Sequence, residues 1–370
     1  MIIDFRYIID SGKVISFRTG DVSYGGNDDD VIADWLPATE PILVNYVDEN
    51  GKTINSTLNQ TVLPPFKRSQ IPSGMGIENV NLRFGVMNHN ITQITKLRTT
   101  GMRCFAFIFF HCLSLDFSRL PQLDTSKVTN MMDMFYGCTS LTGIPQLDTS
   151  KVRDMNVMFY GCSNLTTIPK LDTSNAIWMS NMFIGCTKLT SVPPIVAPNC
   201  IDFENMFLNC PAIQEVDITT PKAMNIKGIF RNCSDLRKVK NMYTGKATAV
   251  NNFFSTTATD YKLTEIPTMD FSSCTASYTM NGFFVNRKGI RHMDITGAIH
   301  RGCTFYSIFD EDTLVQILQA CNRTTTTYEK KMAFKDMQTL NDTADGQYAA
   351  LMAECTAKGW TFTNFTINPA

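Results

Sequence analysis

Apolar side chains recur at a fixed spacing between residues 128 and 233. In the first unit they are Val128, Met131, Met134, Phe135 and Cys138, at offsets 0, 3, 6, 7 and 10. The same offsets return about every 24 residues, in units that start at residues 152, 176, 200 and 223. Because residues three and four apart share one side of a helix, these offsets predict a short helix in each unit. A repeat of this length is typical of a solenoid.

Each predicted helix has recognisable signals at both ends. The residue before the last apolar position is Gly137, Gly161, Gly185, Asn209 or Asn232. Glycine and asparagine accept a positive φ readily, which predicts a left-handed C-terminal cap. Asp-Thr-Ser triplets at 124–126, 148–150 and 172–174 precede the helical runs and predict N-terminal caps. Pro145, Pro169 and Pro193 then interrupt short apolar segments, which predicts short strands with loop character.

One cysteine and one phenylalanine occupy fixed places in most units. The cysteines are Cys112, Cys138, Cys162, Cys186, Cys210 and Cys233, and the phenylalanines are Phe135, Phe159, Phe183, Phe207 and Phe230. Metal-ligating cysteines usually stand two to four residues apart, and no CxxC occurs in the sequence. These residues are therefore predicted to form a buried structural ladder rather than a metal site.

The two flanks have different patterns. Alternating Ile3, Phe5 and Tyr7, and an apolar run at 42–47 followed by Asn50 and Gly51, predict a β-rich segment containing a hairpin. After residue 305, helical spacing returns. One face is Leu314, Ile317, Leu318 and Cys321, after the acidic residues 310–312, and a second is Tyr348, Leu351, Met352 and Cys355, after Asp342. Gly359 is predicted to end the second helix, and residues 360–365 are predicted to form a strand.

The sequence thus predicts an α+β chain of three parts. Residues 1–98 form a small β-rich anchoring and assembly domain, and residues 99–304 form a curved leucine-rich-repeat-like solenoid with a short helix and a short strand per repeat. Residues 305–370 form a helical cap with a final strand, because a solenoid needs a terminal module over its last open face.

Composition and residue spacing exclude several functional classes. The formal net charge of −1 leaves no electrostatic basis for binding nucleic acid or anionic lipid. The sequence contains no run of 18 apolar residues, so we expect no membrane insertion. Residues 1–17 lack the pattern of a secretory signal. The four histidines are scattered without HExxH spacing, so we expect no enzyme activity, cofactor or metal. Residues 28–30, three consecutive aspartates, fit a solvated turn better than a calcium loop.

A row of polar residues lies between the apolar positions of the predicted strands. Its members are Thr142, Gln146, Thr166, Thr167, Lys170, Thr190, Ser191, Gln214, Glu215, Arg237 and Lys238. Stacked repeats would place such residues side by side, about 4.8 Å apart. A solvated face and a ligand-binding strip both remain open for this row.

Residues 123–192 resemble the BspA-like leucine-rich repeats, whose units read x-x-M-x-x-M-F-x-G-C-x-x-L-T-x-I-P-x-L-D-T-S. Residues 357–361 are similar to a terminal module of signal-less virion and tail-associated proteins of phages that infect Bacteroidales. The resemblance implies a non-enzymatic virion protein, tail- or head-fibre-like, made in the host cytoplasm. Its N-terminal domain would bind other virion proteins, its repeats would display a surface for a host glycan or protein, and it would be a homotrimer. The alternative is a bacterial or protozoan cell-surface adhesin.

Overall fold

The computed structural model describes residues 99, 102–257, 259, 262–274, 283–300, 304–305, 307–324, 330–342 and 346–369, together with seven strands before residue 99. The chain divides into two compact units, unit 1 at 1–172 and unit 2 at 173–370. The domain bounds near residues 98 and 304 stay predictions. Phe5, Tyr7, Asn50, Gly51 and residues 28–30, on which predictions were made above, lie outside the described residues.

The described part of the first 98 residues consists of strands, as predicted. They are β1 (Ile2–Asp4), β2 (Val31–Leu36), β3 (Ile42–Val47), β4 (Thr53–Leu58), β5 (Phe66–Lys67), β6 (Asn81–Arg83) and β7 (Gln93–Leu97). β3 and β4 pair antiparallel from Val47↔Thr53 to Ile42↔Leu58, which confirms the two strands of the predicted hairpin. β2 pairs antiparallel with both β5 and β7, and β1 pairs parallel with β6.

The predicted repeat helices are not present. Between residues 102 and 300 the described residues contain one helical turn, a 3-10 turn at Phe117–Arg119. The apolar segments are instead runs of turns. Backbone N–H groups bond alternately to a carbonyl of the next repeat and to a carbonyl three residues back in the same segment. In unit 1, the N–H groups of Asp133 and Phe135 donate to the next repeat, at Asn156 O (3.1 Å) and Met158 O (2.9 Å). The N–H of Met134 between them donates back to Met131 O at 3.2 Å.

The same alternation occurs within unit 2. The N–H groups of Asn181 and Phe183 donate to Glu204 O at 2.7 Å and Met206 O at 2.8 Å, one repeat further along the chain. Two positive-φ residues per repeat make this path possible, because they interrupt any helix. The first, at the predicted cap position, is confirmed, for example at Gly137 (φ 68°) and Asn209 (φ 60°). The second, four residues earlier, was not predicted, for example at Asp133 (φ 54°) and Asn205 (φ 53°).

The Asp-Thr-Ser triplets cap no helix. Asp148 does accept hydrogen bonds from Ser150, through the Ser150 backbone N at 3.0 Å and the hydroxyl at 2.6 Å. The threonine has another role, since it is buried and bonds to the neighbouring repeat. Thr125 Oγ1 accepts from Asp148 N at 2.8 Å, and Thr149 Oγ1 donates to Asp172 O at 2.9 Å. Buried threonines therefore join successive repeats.

Strands in the repeat region are short, as the prolines predicted. Those of unit 2 are β8 (Ile195–Val196), β9 (Glu215–Thr219), β10 (Lys238–Lys240), β11 (Met269–Asp270) and β12 (Ile295–Thr296). β9 lies between β8 and β10, and all of these pairings are parallel. β11 pairs parallel with β12 in a second small sheet.

The C-terminal part of unit 2 contains both predicted helices and the predicted final strand. Its elements are β13 (Thr304–Phe305), α1 (Glu311–Asn322), β14 (Lys331–Asp342), α2 (Gln347–Ala357) and β15 (Thr361–Pro369). Asp310 caps α1 by accepting from Thr313 N at 2.8 Å. The carboxylate of Asp342 accepts from Ala349 N at 2.9 Å at the start of α2. β14, which was not predicted, lies between β13 and β15 in a parallel sheet.

Candidate ligand-binding surface

The buried interior of each unit holds the surface residues in register. All eleven residues of the predicted cysteine and phenylalanine ladder are at most 2 % exposed. The rings stack face to face from repeat to repeat, with centroids 5.4 Å apart for Phe135 and Phe159 in unit 1 and 5.3 Å apart for Phe183 and Phe207 in unit 2. Close packing of the rings sets the distance between successive repeats, and therefore the spacing of the surface residues that the repeats carry. Deleting any ring would leave a cavity.

The cysteine thiols are hydrogen-bond donors within this interior. Cys162 Sγ donates to Phe135 O at 3.0 Å, and Cys233 Sγ donates to Phe207 O at 3.0 Å. Burial raises the pKa of both thiols to about 12. They are therefore neutral at physiological pH, and a thiolate nucleophile or a thiolate metal ligand is not available from them.

Arg287 takes the place of the ladder cysteine in a later repeat. It follows Asn286, which has a φ of 62°, and its N–H bonds to Phe284 O at 3.0 Å, as the N–H of a ladder cysteine does to its phenylalanine. The side chain is fully buried. Its Nε donates to Phe254 O and its Nη2 to Cys233 O, both at 2.7 Å. The run Phe284-Val285-Asn286 before it is the sequence signal for this position, which was not predicted.

Part of the predicted polar strip forms a continuous row in unit 2. We call Thr190, Gln214, Arg237 and Thr264 the polar row. Gln214 N donates to Thr190 O at 3.3 Å, Arg237 N to Gln214 O at 2.8 Å, and Thr264 N to Arg237 O at 3.1 Å. All four side chains are exposed. The row thus presents hydroxyl, amide and guanidinium groups on consecutive repeats, and Thr264 is a member that the sequence analysis did not include.

A second row runs beside the first, and ion pairs neutralise its charged side chains. It contains Ser191, Glu215, Lys238 and Glu265, joined by parallel bridges. Lys238 pairs with Glu265, and Lys240 Nζ lies 3.1 Å from a carboxylate oxygen of Glu215. Among the described residues no carboxylate forms an ion pair with Arg237. The positive charge of Arg237 therefore remains available to a ligand.

The predicted strip is less continuous in unit 1. Thr142 and Thr166 are adjacent, since Thr166 N and Oγ1 both contact Thr142 O, at 3.3 and 3.2 Å. Gln146 Nε2 donates to Lys170 O at 3.0 Å, so this amide already has a partner inside the protein. Thr167 and Lys170 are exposed. In this unit the structure brings together two pairs of the predicted residues, Thr142 with Thr166 and Gln146 with Lys170.

An exposed apolar patch in unit 2 was not predicted. Ile201 N donates to Ile177 O at 3.1 Å, and Met224 N donates to Ile201 O at 2.9 Å, so these residues are neighbours on successive repeats. Ile201 and Met224 are 37 and 50 % exposed, whereas the exposed Trp178 bridges to Asp202 in the adjacent column. Large apolar side chains that are exposed together are a feature of contact surfaces.

One side-chain group in the described residues has the composition of a cation site. Ligand atoms of His292, Asp294 and Asp312 lie within 4.8 Å of one another, and all three residues are exposed. His292 Nδ1 lies 2.8 Å from a carboxylate oxygen of Asp310, the cap of α1. The hydrogen bond to Asp310 raises the pKa of His292, and Asp294 adds to the effect. This geometry suits a protonated imidazole equally well, so the cluster can work as an ion-pair network.

Among the described residues, no helix has the length and apolar character needed to cross a bilayer.

Comparison with known proteins supports a repeat family for part of the chain. Residues 103–220, about a third of the chain, match the model of a family described as "Mycoplasma protein of unknown function, DUF285". The match supports the resemblance to BspA-like repeat proteins in general terms. No curated protein and no solved structure matched the chain.

Proposed function

We propose that the protein is a non-enzymatic display protein whose repeats present the polar row to a glycan or protein on a host surface. The observation that carries this proposal is the register of Thr190, Gln214 and Arg237. Three different polar groups are exposed on consecutive repeats and are held by a backbone ladder. Such a row suits a ligand rich in hydroxyl groups, because the backbone ladder already fixes the spacing of the donors and acceptors and the backbone need not reorder on binding.

In this proposal the protein is a tail- or head-fibre-like virion component. The N-terminal strands attach it to other virion proteins, and the repeats face outward. The support comes from the similarity of residues 357–361 to a module of phage virion proteins. The β-rich character of the described part of residues 1–98 is compatible with an anchoring domain.

A cell-surface adhesin is the second candidate, and the family match favours it. The matching family is named for Mycoplasma proteins, and its model covers repeats of both units. The same polar row would then bind its ligand from the surface of a bacterium. Mass spectrometry of purified particles and of surface-shaved cells separates the two candidates, since each predicts the protein in one fraction and its absence from the other.

The binding function can be tested on a glycan array with the purified chain. Changing Gln214→Ala together with Arg237→Ala should abolish the signal. Arg231→Ala is a matched control, because Arg231 is exposed in the same unit but lies outside the polar row. An unchanged signal in the double variant, or an equal loss in the control, would remove the polar row as the binding surface.

A further inference from the structure

The final strand, β15, lies at an open edge. In the parallel sheet β13-β14-β15, it pairs on one side with β14, from Lys331↔Thr361 to Asp342↔Pro369. Among the described residues no strand pairs with its other side. Since Thr361 N donates to Lys330 O at 2.9 Å, the N–H of the next residue, Phe362, points away from β14. β15 therefore offers unpaired backbone groups along its outer edge.

This edge lacks the usual protection against pairing with another chain. Natural edge strands carry charged residues, proline or strong bends that block addition of a further strand. Residues 361–368 contain no charged residue and no proline, and they are rich in threonine and phenylalanine, which favour strands. One irregularity is present, at Asn364 with a φ of 57°. It leaves Phe365–Asn368 as an uninterrupted stretch before Pro369.

The apolar layer also continues to this edge. Phe305, Phe334 and Phe365 stack with centroids 5.7 and 5.5 Å apart, and Phe365 is the last ring of the row. The ring centroid of Phe362 lies 5.7 Å from that of Phe365. Phe362 and Ile367 are both half-buried. A strand added at Phe365–Asn368 would cover Ile367. Hydrogen-bonding groups and apolar surface are thus left open at the same place.

The strand is held firmly enough to serve as a template. Trp360, just before it, is buried, and its Nε1 donates to Cys321 O in α1 at 3.0 Å. α2 packs against both β14 and β15. An ordered edge loses little entropy on binding, which favours addition of a strand.

From these observations we propose that β15 is a self-association edge, at which two copies of this chain pair antiparallel over residues 365–367. A second copy fits because the stretch is uncharged, so two identical edges do not repel each other. A twofold axis at Thr366 would set Thr366 opposite its own copy and Phe365 opposite Ile367, and would join two three-stranded sheets into one of six strands. The contact is short, so we expect a weak dimer whose population depends on concentration.

Sedimentation velocity of the full chain over a concentration series tests this pairing. The unchanged protein should shift from monomer to dimer as its concentration rises, and Thr366→Lys should stay monomeric, because a lysine on an edge strand opposes pairing. Thr339→Lys is the matched control. Thr339 is the register partner of Thr366 on the inner strand and is also exposed, so this variant should still dimerise.

Oxidative cross-linking gives an independent measurement that does not depend on added charge. Thr366→Cys lies at the twofold axis and should form a covalent dimer, whereas Thr339→Cys should not. A monomer at every concentration, a trimer, or equal behaviour of the Thr366 and Thr339 variants would overturn the proposal. Near-native far-UV circular dichroism of each variant shows that a lost dimer is not a lost fold.

Discussion

Arg287 offers the sharpest test of how the repeats are held together. Its guanidinium is fully buried and donates to Phe254 O and Cys233 O, each at 2.7 Å. Removing the side chain in Arg287→Ala leaves both carbonyls without these donors and creates a cavity. A hydrogen bond that involves a charged group contributes about 1.5–3 kcal/mol, so the two together contribute about 3–6 kcal/mol. The cost of burying the charge offsets part of this sum, and we expect a net loss of about 3 kcal/mol.

For a folding unit of about 200 residues, this loss lowers the melting temperature by about 6–12 °C. Thermal unfolding followed by circular dichroism measures it, with Arg291→Ala as the control. Arg291 is exposed, and its Nη1 donates one hydrogen bond, to Ile308 O at 3.1 Å. Arg287→Cys should lie between Arg287→Ala and the unchanged protein, because a thiol can still donate to Phe254 O.

The expected change is also local. Hydrogen exchange should accelerate around Cys233 and Phe254 in Arg287→Ala more than at α2, because exchange follows local opening. If Arg287→Ala melts within about 1 °C of the unchanged protein, the guanidinium does not connect the repeats and the reasoning fails.

Two further results follow from the repeats and from the His292 cluster. Gly137→Ala should destabilise the protein by about 1–2 kcal/mol, because Gly137 has a φ of 68° and a Cβ there would lie 2.6 Å from Nδ1 of His111. Gly143→Ala is the matched control for denaturant unfolding, since a Cβ at Gly143 would meet nothing within 4 Å, and an equal loss in both variants would contradict the assignment. The raised pKa of His292 predicts stability that is complete below about pH 6.5, the ordinary histidine value, and is lost as the pH rises through the folded-state pKa. His292→Gln should flatten this part of the curve of melting temperature against pH, and the cluster has no such role if both proteins give parallel curves.

The sequence by itself determined which positions of the repeats are buried and one of the two positions per repeat at which the backbone adopts a positive φ. The ladder cysteines and phenylalanines could be identified because the same residue types recur at one offset. Gly137 and Asn209 could be identified because few residues accept a positive φ. The C-terminal helices were predictable for a similar local reason, since their apolar faces and the acidic residues at their starts lie within a few turns of chain.

The tertiary structure decided the backbone path between those positions. Offsets 0, 3, 6, 7 and 10 fit a helical face, but every second N–H in these segments bonds to the next repeat, as Phe135 N does to Met158 O. A helix would direct those groups to its own carbonyls, and an apolar pattern cannot distinguish the two cases because both bury the same side chains. The roles of Thr149 and Arg287 depend on carbonyls 23 and 33 residues away, respectively, so they too became visible only once the repeats lay side by side.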